Sequence, residues 1–324
     1  MKGVINVKTA QRLPEESEGK RAAKWTKFKR WLPVYIMGIP GIAYLIINNY
    51  MPMYGLIIAF KKFDYSKGVT GSDWAGLSNF EFLFKTNDAW VITRNTILYN
   101  LVFILLDIIV CVAVAIFLNE IRSKVSKKIY QTAILLPYLM SMVVVSYLTY
   151  AFVGDRTGLI NAALNLFGLK TVQFYSTKEW WPIIITIVRT WRFVGYGSVI
   201  YLSTLAGFDN SYYEAAELDG ATKWQQIRLI TLPMLKPTII MLTTLSMGQI
   251  FRSDFGLFYQ VPRNQGLLYP VTDTIDTYVF RALLKNSNIG LSSAAAFYQS
   301  IVCFIFILAF NQLIRKISKE DALF

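Results

Sequence analysis

The chain has 324 residues, is 54% hydrophobic, and carries a net charge of +13 with a mean hydropathy of +0.41, a balance too apolar for an ordinary soluble domain. It contains no histidine, which excludes catalysis through imidazole and any His-ligated metal, and no GxxxxGK run followed by Ser or Thr, which excludes nucleotide hydrolysis through such a loop. The basic residues lie beside apolar segments rather than on a polar domain, so they point to a membrane surface and not to nucleic acid.

Residues 1–31 form a polar extension whose latter part is basic and interleaved with Trp25, Phe28 and Trp31. As a helix it would lie against anionic lipid and serve as a juxtamembrane anchor. Its charge, with no early apolar run, excludes a secretory signal. The first membrane segment starts near Leu32, and Asn48, Asn49 and Pro52 leave its outer end between Ile47 and Phe60. An external loop over 61–93 precedes a second span near 94–118, a basic turn with Arg122, Lys124, Lys127 and Lys128, and a third span over 129–153. A second external loop, 154–180, leads to Trp180 and Trp181, an aromatic pair expected at interface depth. The fourth span covers 181–206, a polar interval 207–236, the fifth span 237–258, a third external loop 259–292, the sixth span 293–314 and a basic tail 315–324. Each span is near the length of about twenty residues that a bilayer core requires. The fold class is therefore all-α, a polytopic membrane protein with six transmembrane helices. Lys and Arg concentrate beside the N-terminus, the 119–130 turn, the 207–236 interval and the C-terminus, which places both termini and that interval in the cytoplasm. Cys111 and Cys303 sit inside apolar segments, which argues against a structural disulfide.

The 207–236 interval holds the most informative residues. Ser211 and Glu214 have capping-box spacing, Gly220 suits a helix-terminating position, and Thr222 and Gln225 repeat the box. Pro233 and Pro237 are expected to interrupt the backbone hydrogen bonding where the chain becomes apolar again. The reading is a hairpin of two short helices held at the membrane surface.

The order Glu214-Ala215-Ala216, three residues, Gly220, nine residues, Ile230, one residue, Leu232-Pro233 resembles the signature loop of membrane subunits of binding-protein-dependent ABC importers. The segments MPMYGLIIAFKKFD (51–64), GLSNFEFLF (76–84), RNT (94–96), TAILLPYLMSMVVV (132–145), YLSTLAGFD (201–209) and DTIDTYVFR (273–281) are similar to the branch that imports oligo- and polysaccharides. The resemblance covers nearly everything after residue 30. It implies a type I importer permease fold over 32–314, with Glu214, Ala215, Ala216, Gly220, Ile230, Leu232 and Pro233 forming the element that docks a separate ATPase. It also implies a second permease subunit of different sequence, two ATP-binding cassette subunits that use ATP and Mg, and an extracytoplasmic solute-binding protein. This chain itself is expected to bind no cofactor and no metal, to catalyse no reaction, and to reside in a bacterial inner membrane among lipid.

Charges in or near the spans carry two readings. Asn100, Arg189, Trp191, Arg192, Gln249, Arg252 and Asp254 suit a polar passage for sugar, in which aromatic faces stack on the rings and amides or charges bind hydroxyls. Structural ion pairs are the other reading, and Asp107, alone in an apolar helix, is assigned that role with an arginine as partner. Arg189 and Arg192 are three residues apart and share a helix face. The excess of arginine over aspartate suits an acidic saccharide of alginate or pectin type. Asp273, Asp276, Tyr278 and Arg281 either dock the binding protein or merely solvate a loop. The competing functions are an ion-driven secondary sugar transporter, which the intramembrane charges permit, and a polytopic membrane enzyme, for which paired loop carboxylates or a metal cluster would be expected.

Overall fold

A computed structural model describes residues 15–285 and 287–317. Among them, five helices are long and apolar enough to cross a membrane: Arg30–Phe60, Asp88–Glu120, Lys178–Leu205, Lys223–Met247 and Ile289–Gln312. Two further helices, Lys124–Leu139 and Met142–Val153, are bent by 99° at the break between them and make a sixth candidate span when taken as one.

Internal packing divides the chain between Leu56 and Ile57. In the first part a helix starts at Glu15, inside the polar extension, and continues without a break through Pro33 and Pro40 to Leu45. A π turn, Ile46–Tyr50, follows where Asn48 and Asn49 occur, and Asn48 turns its amide back to the Tyr44 carbonyl at 3.0 Å. In the second part a two-residue hairpin pairs Lys61 with Trp74 and Lys62 with Asp73. Lys61 is buried there, but its ammonium donates to the carbonyls of Val69 (2.8 Å) and Thr70 (2.9 Å), so the charge is not orphaned.

Two spans depart from the sequence expectation. The third is not one helix. Pro137 removes a backbone donor in its last turn, Met140 and Ser141 become extended, and the Ser141 hydroxyl caps the new helix through the Val144 N–H. The fifth begins some fourteen residues before the expected 237, since Lys223–Gln226, a π turn at Ile227–Thr231 and Leu232–Met247 form one continuous rod. Pro233 stands two residues past the end of the π turn, in the first turn of Leu232–Met247, and Pro237 lies inside that helix, so the prolines do not end it. After Met247 the chain turns through Gly248–Ser253 before a short helix, Phe255–Gln260.

Three apolar clusters hold the second part together. One gathers Tyr99, Phe103, Val145, Leu257 and Phe258 around Trp181. Trp181 is fully buried and donates its indole N–H to the Phe174 carbonyl at 2.7 Å, whereas Trp180 stays half exposed. The expected interface pair is thus one interface residue and one core residue. A second cluster packs Phe80, Phe82, Ile92, Phe251 and Ile275 with the sixth span. The third, at the hairpin end, joins Cys111, Val112, Leu118, Tyr201, Leu202 and Leu235. The fourth span joins the first and third clusters, through Trp181 and Ile185 at one end and Tyr201, Leu202 and Leu205 at the other. It approaches its neighbours closely at two small residues, because a Cβ on Gly195 would overlap the Ile134 carbonyl and one on Gly197 would stand 2.6 Å from the Cys111 sulfur.

Candidate functional site

The hairpin between the fourth and fifth spans is built from local signals. Its first helix is Ser211–Leu218. The expected Ser211–Glu214 capping box is not formed. Asp209 instead accepts the Ser211 N–H at 2.9 Å, an Asx turn that supplies the same service two residues earlier and holds the Asp209 carboxyl below the usual range. The helix ends as the spacing indicates: Gly220 takes φ +77°, and the Ala221 N–H reaches back to the Ala216 carbonyl at 2.9 Å. Thr222 and Gln225 make a reciprocal capping box. Across the turn Lys223 meets Glu217 at 2.5 Å, and this hydrogen-bonded cation lowers the Glu217 carboxyl. Tyr213 shares a hydroxyl contact of 3.1 Å with Thr231, tying the first helix to the base of the fifth span. Glu214 and Ala215 are exposed, with Ile230 half-buried and Leu232 and Pro233 exposed behind them. Tyr212, Leu218, Trp224 and Leu229 are also exposed, Leu218 at 90%. A fixed apolar knob with satisfied backbone ends is therefore presented on the loop side.

A cavity of about 300 Å³ lies where the two broken spans face the fourth helix, lined by Asn100, Phe103, Tyr138, Met142, Arg189, Arg192, Phe193 and Asp254. The breaks after Leu139 and after Met247 bring Tyr138, Met142 and Asp254 to one place, and Gly256 packs so closely on Met142 that a Cβ would stand 2.7 Å from its side chain. Asn100 holds the second break, its amide donating to the carbonyls of Thr96 (2.9 Å), Ile250 (2.8 Å) and Arg252 (2.9 Å).

The two cavity arginines differ sharply. Arg189 forms a two-pronged pair with Asp107, the second contact at 2.8 Å, and its guanidinium lies 4.2 Å from the Phe193 ring centre and 4.9 Å from that of Phe103. Asp107 opens a π turn, Asp107–Cys111, within the second span. Arg192 is only loosely paired, 3.8 Å from Asp254, and its buried Nε has no hydrogen-bond partner. The Arg192 guanidinium stands 5.3 Å from the Tyr138 ring, which stacks on Tyr196 at 4.5 Å.

Of the passage residues expected from sequence, Asn100, Arg189, Arg192 and Asp254 meet in this cavity. Trp191 does not. Helical rotation of about 100° per residue turns it away from Arg192, into an apolar groove with Leu148, Phe152, Ile184 and Val188. Gln249 and Arg252 are exposed in the 248–254 turn and do not line the cavity. Tyr138, Phe103, Met142 and Phe193 escape a sequence reading, since apolar and aromatic side chains in spans carry no polarity signal.

At the opposite end from the hairpin, Asp273, Tyr278 and Arg281 border an open cleft of about 590 Å³ with Asp88, Tyr269 and Lys285. They are not free loop charges. Asp273 pairs with Arg281 and accepts from the Thr277 hydroxyl at 2.6 Å, both partners of the pair being largely buried. Burial raises the Asp273 carboxyl, against the pull of Arg281. Asp276 accepts from the Ser253 N–H and hydroxyl at 2.7 Å each and from Gln299 at 3.3 Å, and so braces the second break.

Comparison with known proteins agrees with this architecture. The family model described as "Binding-protein-dependent transport system inner membrane component" matches residues 89–319. The polygalacturonan/rhamnogalacturonan transport system permease protein YteP of Bacillus subtilis (strain 168) is 32% identical over 287 residues, covering 89% of each chain. Protein LplB of the same organism is 31% identical over 307 residues, covering 95% of this chain and 96% of its own. A chain of a bacterial alginate ABC transporter, solved in complex with an alginate pentasaccharide-bound periplasmic protein, shares the fold with a TM-score of 0.81 and 31% identity, over 91% of this chain and 98% of that one. With a family match over most of its length and relatives of this coverage, the chain belongs to the family of binding-protein-dependent transport system inner membrane components, which are transport permeases and not enzymes.

Proposed function

We propose that this permease forms half of the pore of an ATP-driven importer of acidic oligosaccharides. The arginine-lined cavity carries the substrate reading, because Arg192 keeps unsatisfied donor capacity inside the bundle. The names of the relatives support it: one serves polygalacturonan and rhamnogalacturonan, and a related solved transporter imports the acidic polysaccharide alginate. The exposed hairpin is the docking element for an ATPase subunit, with Glu214, Ala215, Ala216 and Gly220 at its centre. The assembly comprises this chain, a second permease of different sequence, two ATPase subunits that use ATP and Mg, and an extracytoplasmic binding protein. The permease supplies no cofactor-binding residue of its own.

The decisive experiment is reconstitution of that assembly in lipid vesicles with its binding protein. Uronate oligomers are expected to stimulate ATP hydrolysis and to enter the vesicle lumen. Stimulation by neutral oligomers alone would reject the acidic cargo, and uptake by this chain under an ion gradient without ATPase would reject the importer.

Orientation is tested separately. The hairpin and both termini face the cytoplasm in this reading, so a cysteine introduced at Ser66 is expected to react with an impermeant reagent in intact cells. One at Thr222 or Ser123 reacts only after permeabilisation. The reverse pattern would invert the topology.

A further inference from the structure

We propose that Arg192 is the carboxylate receptor of the cavity and that Asp254 is its built-in competitor, holding the guanidinium loosely until a uronate carboxylate replaces it. The inference rests on the acidic-cargo reading and adds to it a residue that recognises the cargo and one that tunes its release.

Arg189 and Arg192 stand one turn apart on the same helix face and border the same cavity, yet only one is available. Arg189 is committed: Asp107 takes two of its donors, and the rings of Phe103 and Phe193 lie near its guanidinium. A carboxylate ligand would have to break that pair and leave Asp107, 20% exposed, without its cation. Arg192 requires no such loss. Its contact with Asp254 is 3.8 Å, beyond hydrogen-bond length, and its Nε is buried without a partner. The side chain is 21% exposed, and its two terminal nitrogens make an end-on fork that matches the two oxygens of a carboxylate. The ring of Tyr138, backed by Tyr196, adjoins that fork and offers an aromatic face to a pyranose.

Asp254 is equally well placed to let go. Its Oδ1 accepts the Leu257 N–H at 3.1 Å, capping the helix Phe255–Gln260, and its side chain is 43% exposed. When Arg192 turns to a substrate, Asp254 keeps that cap and the remaining oxygen meets solvent. Each carboxylate therefore displaces the other at little cost, a condition for a transporter that must bind its cargo and also release it.

The test uses the complete transporter in lipid nanodiscs, with radiolabelled trigalacturonate and its carboxyl-reduced neutral counterpart as probes. Asp254→Asn removes the competing charge but keeps the cap, since an amide oxygen accepts the same N–H. It is expected to bind trigalacturonate roughly three- to fivefold more tightly, the range for loss of one partly exposed ion pair. Arg192→Gln loses that binding, and the double variant Arg192→Gln with Asp254→Asn behaves as Arg192→Gln alone. The neutral trisaccharide binds equally to all four proteins. Unchanged or weaker trigalacturonate binding by Asp254→Asn overturns the inference, as does failure of that variant to assemble, which would make Asp254 a strut. A wild-type complex that transports neutral sugar and never binds trigalacturonate overturns the acidic-cargo reading together with the inference. One that imports uronate while Asp254→Asn is silent overturns the inference only.

Discussion

Replacing Arg189 by Gln is expected to prevent a stable transporter from assembling, rather than merely to slow it. The guanidinium and the Asp107 carboxylate are 18% and 20% exposed, joined by two contacts, with the rings of Phe103 and Phe193 beside them. Removing the cation alone leaves a carboxylate inside the bundle, beside the apolar cluster of Cys111 and Val112, at a cost of about 3–5 kcal/mol. Adding Asp107→Asn removes the stranded charge, and the paired amides can hydrogen-bond, so the double variant should recover most of the loss. Yield and size-exclusion profile of the co-purified complex, with its melting temperature, make the measurement. A single Arg189→Gln complex that melts as wild type would show that the pair does not hold these helices. Arg192→Gln serves as the contrast, because its loose partner Asp254 keeps a helix cap when the cation goes.

The second large effect is expected at Gly220. A side chain there has open space around it, so the penalty is not steric crowding but the backbone itself, at φ +77°. Forcing Val into that left-handed region costs about 2 kcal/mol, which corresponds to roughly a thirtyfold loss of the native turn. The turn sets the angle between helix Ser211–Leu218 and the fifth span, and with it the placement of Tyr212, Leu218 and Trp224. The Gly220→Val complex is expected to insert and to retain basal ATP hydrolysis while losing stimulation by loaded binding protein. Gly220→Asn should keep most of that stimulation, since Asn adopts the left-handed region more readily. Equal stimulation in Val and Asn variants would dissociate the turn from coupling.

These two sites differ in how far the residues announce them. Gly220 and the Thr222–Gln225 box are legible because every interaction that defines them lies within five residues along the chain. The Ser211–Glu214 spacing misleads for the same local reason, as Asp209 competes for the Ser211 N–H and wins. Asp107 is recognisable as a buried charge in need of a cation, but sequence does not choose among arginines. Which one reaches it depends on how the second and fourth spans cross, a contact across 82 residues. Asp273 and Asp276 read in the sequence as exposed loop charges, whether docking or solvating, because their partners, Arg281 in one case and Ser253 and Gln299 in the other, converge only after the helices pack. Trp181 passes for an interface anchor because its hydrogen-bond acceptor, the Phe174 carbonyl, is supplied by an irregular segment with no apolar pattern. The break at Met140 is hidden by a run of apolar residues, and Pro137 does not betray it, since transmembrane helices often carry proline.

The unbroken course from Lys223 to Met247 has a mechanical consequence. At 1.5 Å per residue it is a rod about 37 Å long, with the knob's second helix at one end and the turn leading to Asp254 at the other. Lys223–Gln226, the π turn Ile227–Thr231 and Leu232–Met247 follow one another with no non-helical residue between them. Tilting such a rod by about 5° about one end carries the other through an arc of about 3 Å, close to the distance that separates a formed carboxylate–guanidinium contact from a parted one. The knob and the turn that carries Asp254 are thus the two ends of one lever.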